Sequence, residues 1–238
     1  MSELIFQKDS YIKEFDCTII GVNEGENAVV LDRTAFYLGG GGQPCDTGVL
    51  ETDKDIYIVN KVKKIGNDVY HYIDGNLPNL NDACIGKIDW EHRYKLMRTH
   101  TAMHILCGVV WRDYKAQVTG GDMDCLKGRM DFEFESFDKE LILEIEDKVN
   151  KEVECKRNIK VNILEREEAF KIPDLIRTKI NLLPEGIKEI RTVEIEGLDL
   201  QADGGTHVKN TFEVGKIKIV DYKSKGKINK RIYVELES

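Results

Sequence analysis

The chain has 238 residues, with 35 basic and 43 acidic side chains, a net charge of −8 and 41% hydrophobic content. That length suits one large domain or two smaller ones, each with its own core, and no apolar run approaches the roughly 20 residues that cross a bilayer. The N-terminus lacks the basic start and apolar core of a secretory signal, so the expected location is the cytoplasm, and the acidic balance argues against strong sequence-independent nucleic-acid binding.

The first ninety or so residues read as β-rich. Short alternating runs at Cys17-Thr-Ile-Ile, Ala28-Val-Val-Leu, Asp55-Ile-Tyr-Ile-Val and Asp68-Val-Tyr-His-Tyr-Ile are separated by turn signals such as Ile65-Gly-Asn-Asp68 and Asp74-Gly-Asn76. Several short strands at regular spacing predict a small barrel. Between two of them lies Phe36-Tyr-Leu-Gly-Gly-Gly-Gly-Gln-Pro44. No Gly-Lys-Ser/Thr follows it, so it is not a phosphate-binding P-loop. It reads as a rigidly placed loop whose amides at Gly40, Gly41 and Gly42, with Gln43, are open to a substrate or a neighbouring domain.

From Trp90 the period changes. Residues Trp90 to Trp111 predict one long helix, nearly all apolar in its second half and therefore buried. A strand is expected over Arg129–Glu135. An amphipathic helix follows over roughly 138–154, with Ile142, Ile145, Val149 and Val153 on one face and Ser136 or Asp138 as its cap. Ile159–Leu164 alternates like a strand, a short helix over Arg166–Lys171 stops before Pro173, and the C-terminal runs predict a hairpin around Lys223-Ser-Lys-Gly226. Strands and helices mix without a βαβ rhythm, which gives an α+β second domain. The expected division is a β-barrel domain over 1–89 and an α+β domain over 90–238. Charge is uneven: residues 131–154 hold ten acidic and three basic side chains, and 216–231 hold seven basic and one acidic. A basic strip on an acidic protein can still steer one specific RNA.

Chemistry concentrates in two runs, Arg98-Thr-His-Thr-Ala-Met-His104 and Gln201-Ala-Asp-Gly-Gly-Thr-His207. His100 and His104 leave one helix face a turn apart, and two unpartnered imidazoles on a buried helix would be costly. Asp203 and His207 flank Gly-Gly-Thr, so a turn can aim both at one point. Three imidazoles and a carboxylate form a ligand set for a catalytic divalent metal, zinc first. Thr101 stands where zinc peptidases of the His-Glu-x-x-His type carry their glutamate. A general base would therefore be the water on the metal or a carboxylate, with Asp203 the candidate. Six cysteines without a Cys-x-x-Cys pair exclude a zinc finger. Cys107, a turn beyond His104, could ligate or line the site.

These runs, with the glycine motif and Asp199-Leu-Gln-Ala-Asp-Gly-Gly-Thr-His-Val-Lys-Asn-Thr211, resemble the AlaX family of free-standing alanyl-tRNA editing proteins. That family is similar to the editing domain of alanyl-tRNA synthetase, which shares its fold with the threonyl enzyme. Arg129-Met-Asp-Phe132 and Ile190-Arg-Thr-Val-Glu-Ile195 fall in family order, and the glycine-rich front domain is that of the medium-sized class. The resemblance implies a deacylase acting in trans on the acceptor end of tRNA(Ala) mischarged with serine or glycine, with one zinc ion per chain. A pocket built for alanine cannot strongly reject either amino acid, which is why a second hydrolytic site is needed.

His100, His104 and His207 match the family's metal histidines. The family's usual cysteine is replaced here by Asp203, either as a ligand or as a group orienting water or the substrate amine. Met103 stands where the synthetase domain tends to carry threonine, so Thr119 or Gln43 could supply the contact to the serine hydroxyl. Gln201 and Arg129 complete the expected substrate side. The alternatives are a metal-dependent deacylase for another aminoacyl ester and an RNA-binding module that kept the fold.

Overall fold

The computed structural model describes residues 2–134, 138–176 and 186–237. It divides into two compact units, Met1–Lys95 and Leu96–Ser238. In the first unit the strands are β1 (Glu3–Leu4), β2 (Glu14–Asn23), β3 (Ala28–Leu31), β4 (Arg33–Thr34), β5 (Gly48–Glu51), β6 (Ile56–Ile65), β7 (Asp68–Asp74) and β8 (Ala83–Ile88). Six of them close into a barrel in the order β2-β3-β7-β6-β5-β8, while β1 pairs with β4 outside it. Closure leaves no sheet edge within the barrel to be capped. The period-2 alternation aims Phe15, Cys17 and Ile19 of β2 and Val69 and Ile73 of β7 into one core with Leu31, Phe36 and Leu50, and a register shift between Val59 and Lys61 lets both Val59 and Val62 of β6 join them. Each fully buried side chain of this size contributes roughly 1.5–3 kcal/mol. The four expected runs fall on β2, β3, β6 and β7; β5 and β8 are additional.

Helix α1 (Trp90–Tyr114) straddles the division between the units. Its first residues belong with the barrel. Arg93 is fully buried there, paired through its guanidinium with Asp46 and donating to the backbone carbonyls of Ser10 at 2.9 Å and Ala35 at 2.6 Å. From Thr99 to Val110 every residue of α1 is buried, as its apolar second half predicts.

In the second unit, β9 (Val118–Asp124) and β10 (Lys127–Glu133) precede α2 (Lys139–Glu154), β11 (Ile159–Glu165), α3 (Arg166–Ala169), β12 (Glu189–Ile195) and β13 (Asp199–Ala202). A 3₁₀ turn at Thr211–Val214 leads to β14 (Ile217–Ser224) and β15 (Asn229–Leu236). The strands form a four-stranded sheet, β14-β15-β10-β9, and a three-stranded one, β11-β12-β13. Both are antiparallel throughout. The molecule is thus α+β. Asp138 caps α2 by accepting from the Leu141 amide at 2.8 Å, whereas Ser136, the other candidate cap, lies outside the described residues. Ile142, Ile145, Val149 and Val153 are buried on the inner face of α2. Among the described residues no helix is long and apolar enough to cross a membrane.

Candidate metal centre

The helical repeat of α1 places His100 and His104 one turn apart with ring centroids separated by 5.1 Å. The chain leaving β13 turns at Gly204-Gly205, where the Gly205 amide donates to Asp203 Oδ2 at 2.8 Å and so aims the carboxylate. His207 follows, its ring stacked on that of His100 at 4.3 Å. One ligand atom from each of His100, His104, Asp203 and His207 lies within 4.8 Å of all the others.

Asp203 is at the middle of the group. Its Oδ1 is 3.5 Å from His100 Nε2 and 4.0 Å from His104 Nε2, and its Oδ2 is 3.0 Å from His207 Nε2. Tetrahedral zinc with bonds of about 2.0–2.1 Å holds its ligand atoms about 3.3 Å apart; the donors present fit the ion in number and type, and those of His100 and His207 already lie 3.5 and 3.0 Å from Asp203.

The electrostatics suit a metal as well. Burial, helped by the neighbouring rings and Arg191, drives His100 well below the usual imidazole range. Burial brings His207 down to about 4, against the pull of its bond to Asp203. Both rings are therefore neutral at pH 7, the form that ligates. For His104, burial is outweighed by the Asp199 carboxylate and then Asp203, and its pKa rises. Burial alone would raise the Asp203 carboxyl, but the imidazoles of His100 and His207 outweigh it and keep it well below the usual range.

Partners that the sequence reading missed surround the four. Thr101, fully buried, places Oγ1 3.1 Å from His207 Nδ1 and 3.3 Å from the Val208 amide. The position that carries glutamate in zinc peptidases of the His-Glu-x-x-His type thus orients the third histidine here. Asp199 Oδ2 stands 3.2 Å from His104 Nδ1. Arg191 donates to the Asp203 backbone carbonyl at 2.9 Å. The sequence places Asp199 four residues before Asp203 and Thr101 between the two helical histidines, but spacing alone does not assign either a partner.

The other expected site residues are distributed as follows. Gln201 is beside the centre, its Nε2 2.6 Å from Asp199 Oδ2 and 3.4 Å from Cys107 Sγ, so Cys107 lies behind Gln201 and outside the four-residue group. Thr119, on β9, donates to Asn229 Oδ1 at 3.0 Å. Arg129, on β10, faces Asp122 at 3.5 Å and Asp131 at 3.9 Å. Gly40, Gly41, Gly42 and Gln43 belong to the first unit. There Gly39 through Gly42 all have positive φ (79°, 137°, 58° and 88°), which only glycine adopts four times in succession without strain. Gly40 and Gln43 exchange backbone hydrogen bonds of 3.1 and 2.9 Å, and Tyr37 Oη donates to the Gly40 carbonyl at 3.0 Å, so the turn is braced.

A helix-borne His pair meeting an Asp-Gly-Gly-Thr-His turn beside a three-stranded sheet defines the class. Residues 190–233 match the family model described as the threonyl and alanyl tRNA synthetase second additional domain, and residues 10–92 match that of the class II (A) tRNA synthetases. The alanyl-tRNA editing protein AlaX-M of Saccharolobus solfataricus is 44% identical, with 98% of each chain covered. That of Methanosarcina barkeri is 40% identical over 99% of each. The alanine–tRNA ligase of Ignicoccus hospitalis is 39% identical over 91% of this chain, a match that takes in 24% of the ligase. The chain belongs to the AlaX-M family of alanyl-tRNA editing proteins.

Proposed function

We propose that this chain hydrolyses, in trans, the ester linking serine, and secondarily glycine, to the terminal adenosine of mischarged tRNA(Ala), in the cytoplasm where tRNA is charged. The observation that carries the reading is the convergence of His100, His104, Asp203 and His207 on one point, with the His100 and His207 rings neutral and the Asp203 carboxyl held well below its usual range. These four residues would hold one zinc ion, which supplies Lewis acidity toward the ester carbonyl and an acidified water at neutral pH.

The chain's own residues position everything else. Asp203 faces three imidazoles, which supports ligation over a role as free base. Arg191 holds its main chain in place, and Thr101 and Asp199 set the rings of His207 and His104. Gln201 is the substrate-side residue best supported by geometry, because its amide reaches within 3.5 Å of the His104 ring. The braced backbone at Gly40, Gly41 and Gly42, together with Gln43, Thr119 and Arg129, is assigned to contacts with the tRNA and its amino acid. Lys225 and Lys227, exposed between β14 and β15, are assigned to the acceptor-stem phosphates.

The test is deacylation of Ser-, Gly- and Ala-tRNA(Ala) by wild type and His104→Ala. The expected result is hydrolysis of the first two with Ala-tRNA(Ala) spared, and loss of both activities in the variant. Equal hydrolysis of all three would point to a general aminoacyl esterase. Binding of tRNA without hydrolysis would leave an RNA-binding module.

A further inference from the structure

We infer that Asp199 is a positioning residue of this centre: its carboxylate accepts a hydrogen bond from the Nδ1–H of His104 and thereby presents Nε2 to the metal. The inference rests on the metal reading above and goes beyond it, because Asp199 is not one of the four converging residues.

An ionised carboxylate can only accept, so the 3.2 Å contact between His104 Nδ1 and Asp199 Oδ2 requires the proton on Nδ1. That leaves the lone pair on Nε2, the atom that faces Asp203 at 4.0 Å. The Asp199 side chain has no solvent exposure, so the contact is not diluted by water. Gln201 donates to the same oxygen at 2.6 Å and pins the carboxylate from the other side.

The backbone is cut to permit this approach. Asp199 opens β13, paired with Ile195 of β12, and the strand reaches α1 at Gly108, one turn beyond His104. A Cβ at Gly108 would stand 2.9 Å from Leu198 Cγ and 3.0 Å from Asp199 Cβ. Glycine inside a helix costs about 1 kcal/mol relative to alanine; close passage of the Asp199 strand accounts for its presence here. The helix thus carries a histidine for the ion and, four residues on, the notch through which a carboxylate reaches that histidine from behind. On His207 the Nδ1 faces the Thr101 hydroxyl, whereas on His104 it faces a carboxylate, and such charged partners hold ring orientation and raise ligand basicity.

Asp199→Asn keeps the shape and removes the charge. Zinc affinity, measured against a chromophoric chelator, is expected to fall about 10- to 100-fold. The visible band of the cobalt-substituted protein is expected to shift, a signature that a general loss of stability would not produce. Should that variant not fold, Gln201→Leu on the half-buried side removes the donor that pins the carboxylate and is expected to weaken zinc in the same direction by a smaller factor. Affinities within about twofold of wild type and an unmoved cobalt band would overturn the role of Asp199. Wild-type protein that binds neither zinc nor cobalt would instead overturn the metal reading, and this inference with it.

Discussion

The two oxygens of Asp203 lie 3.0 to 4.0 Å from three imidazole nitrogens. Carboxylate and thiolate are both zinc ligands with similar reach. Asp203→Cys is therefore expected to retain one zinc per chain and most of the deacylase activity, as read by metal analysis and single-turnover hydrolysis. Collapse of activity with zinc still bound would make the carboxylate an essential base instead. A different buried histidine also contributes to acid stability. His71, inside the barrel with its Nε2 2.8 Å from Thr34 Oγ1, is pushed down to about 4 by burial. Between pH 6.5 and about 4 the unfolded chain binds the proton and the folded barrel does not. Stability on this account is complete above pH 6.5 and is lost as pH falls through that window, by about 3 kcal/mol at the lower end. Urea midpoints of wild type and His71→Gln compared across this range should converge as the pH drops. A difference that does not vary with pH would rule the linkage out.

At the scale of elements, α1 has two separate tasks: anchoring by Arg93 and the metal pair of His100 and His104. Arg93 is fully buried and its charge is balanced by Asp46, also fully buried. Asp46→Ala would leave a buried guanidinium without its anion, at a cost of about 3–5 kcal/mol. Denaturant unfolding that shows less than about 1 kcal/mol would mean that water or a rearranged loop takes the carboxylate's place. The helices were legible because an apolar face repeats every turn, as Ile142, Ile145, Val149 and Val153 do on α2. Strands β5, β8 and β9 were not, because glycine opens the first and interrupts the other two, and glycine reads as a turn. In two of these strands it is instead a fitting requirement: a Cβ at Gly86 would stand 2.4 Å from the Phe15 ring, and one at Gly48 would stand 2.1 Å from the Lys87 carbonyl oxygen. The four converging residues of the site were readable from spacing alone. Asp199 and Thr101 were not, since their roles depend on which side of α1 meets β13 and the turn after it.

For the whole molecule, a net charge of −8 coexists with a basic C-terminal hairpin. Part of that hairpin's charge is consumed internally: Lys230 donates to the Ser224 hydroxyl at 3.1 Å and to the Gly226 and Lys227 carbonyls at 2.9 Å, and Arg231 forks onto Asp131 at 2.6 and 2.7 Å. The basic count in sequence therefore overstates what is available to RNA. The measurement that bears most directly on the hydrolytic centre is the rate of Ser-tRNA(Ala) hydrolysis as zinc is stripped by a chelator and then restored. Activity that falls with the metal and returns on addition of one equivalent per chain is the predicted result. Undiminished hydrolysis by zinc-free protein would contradict it.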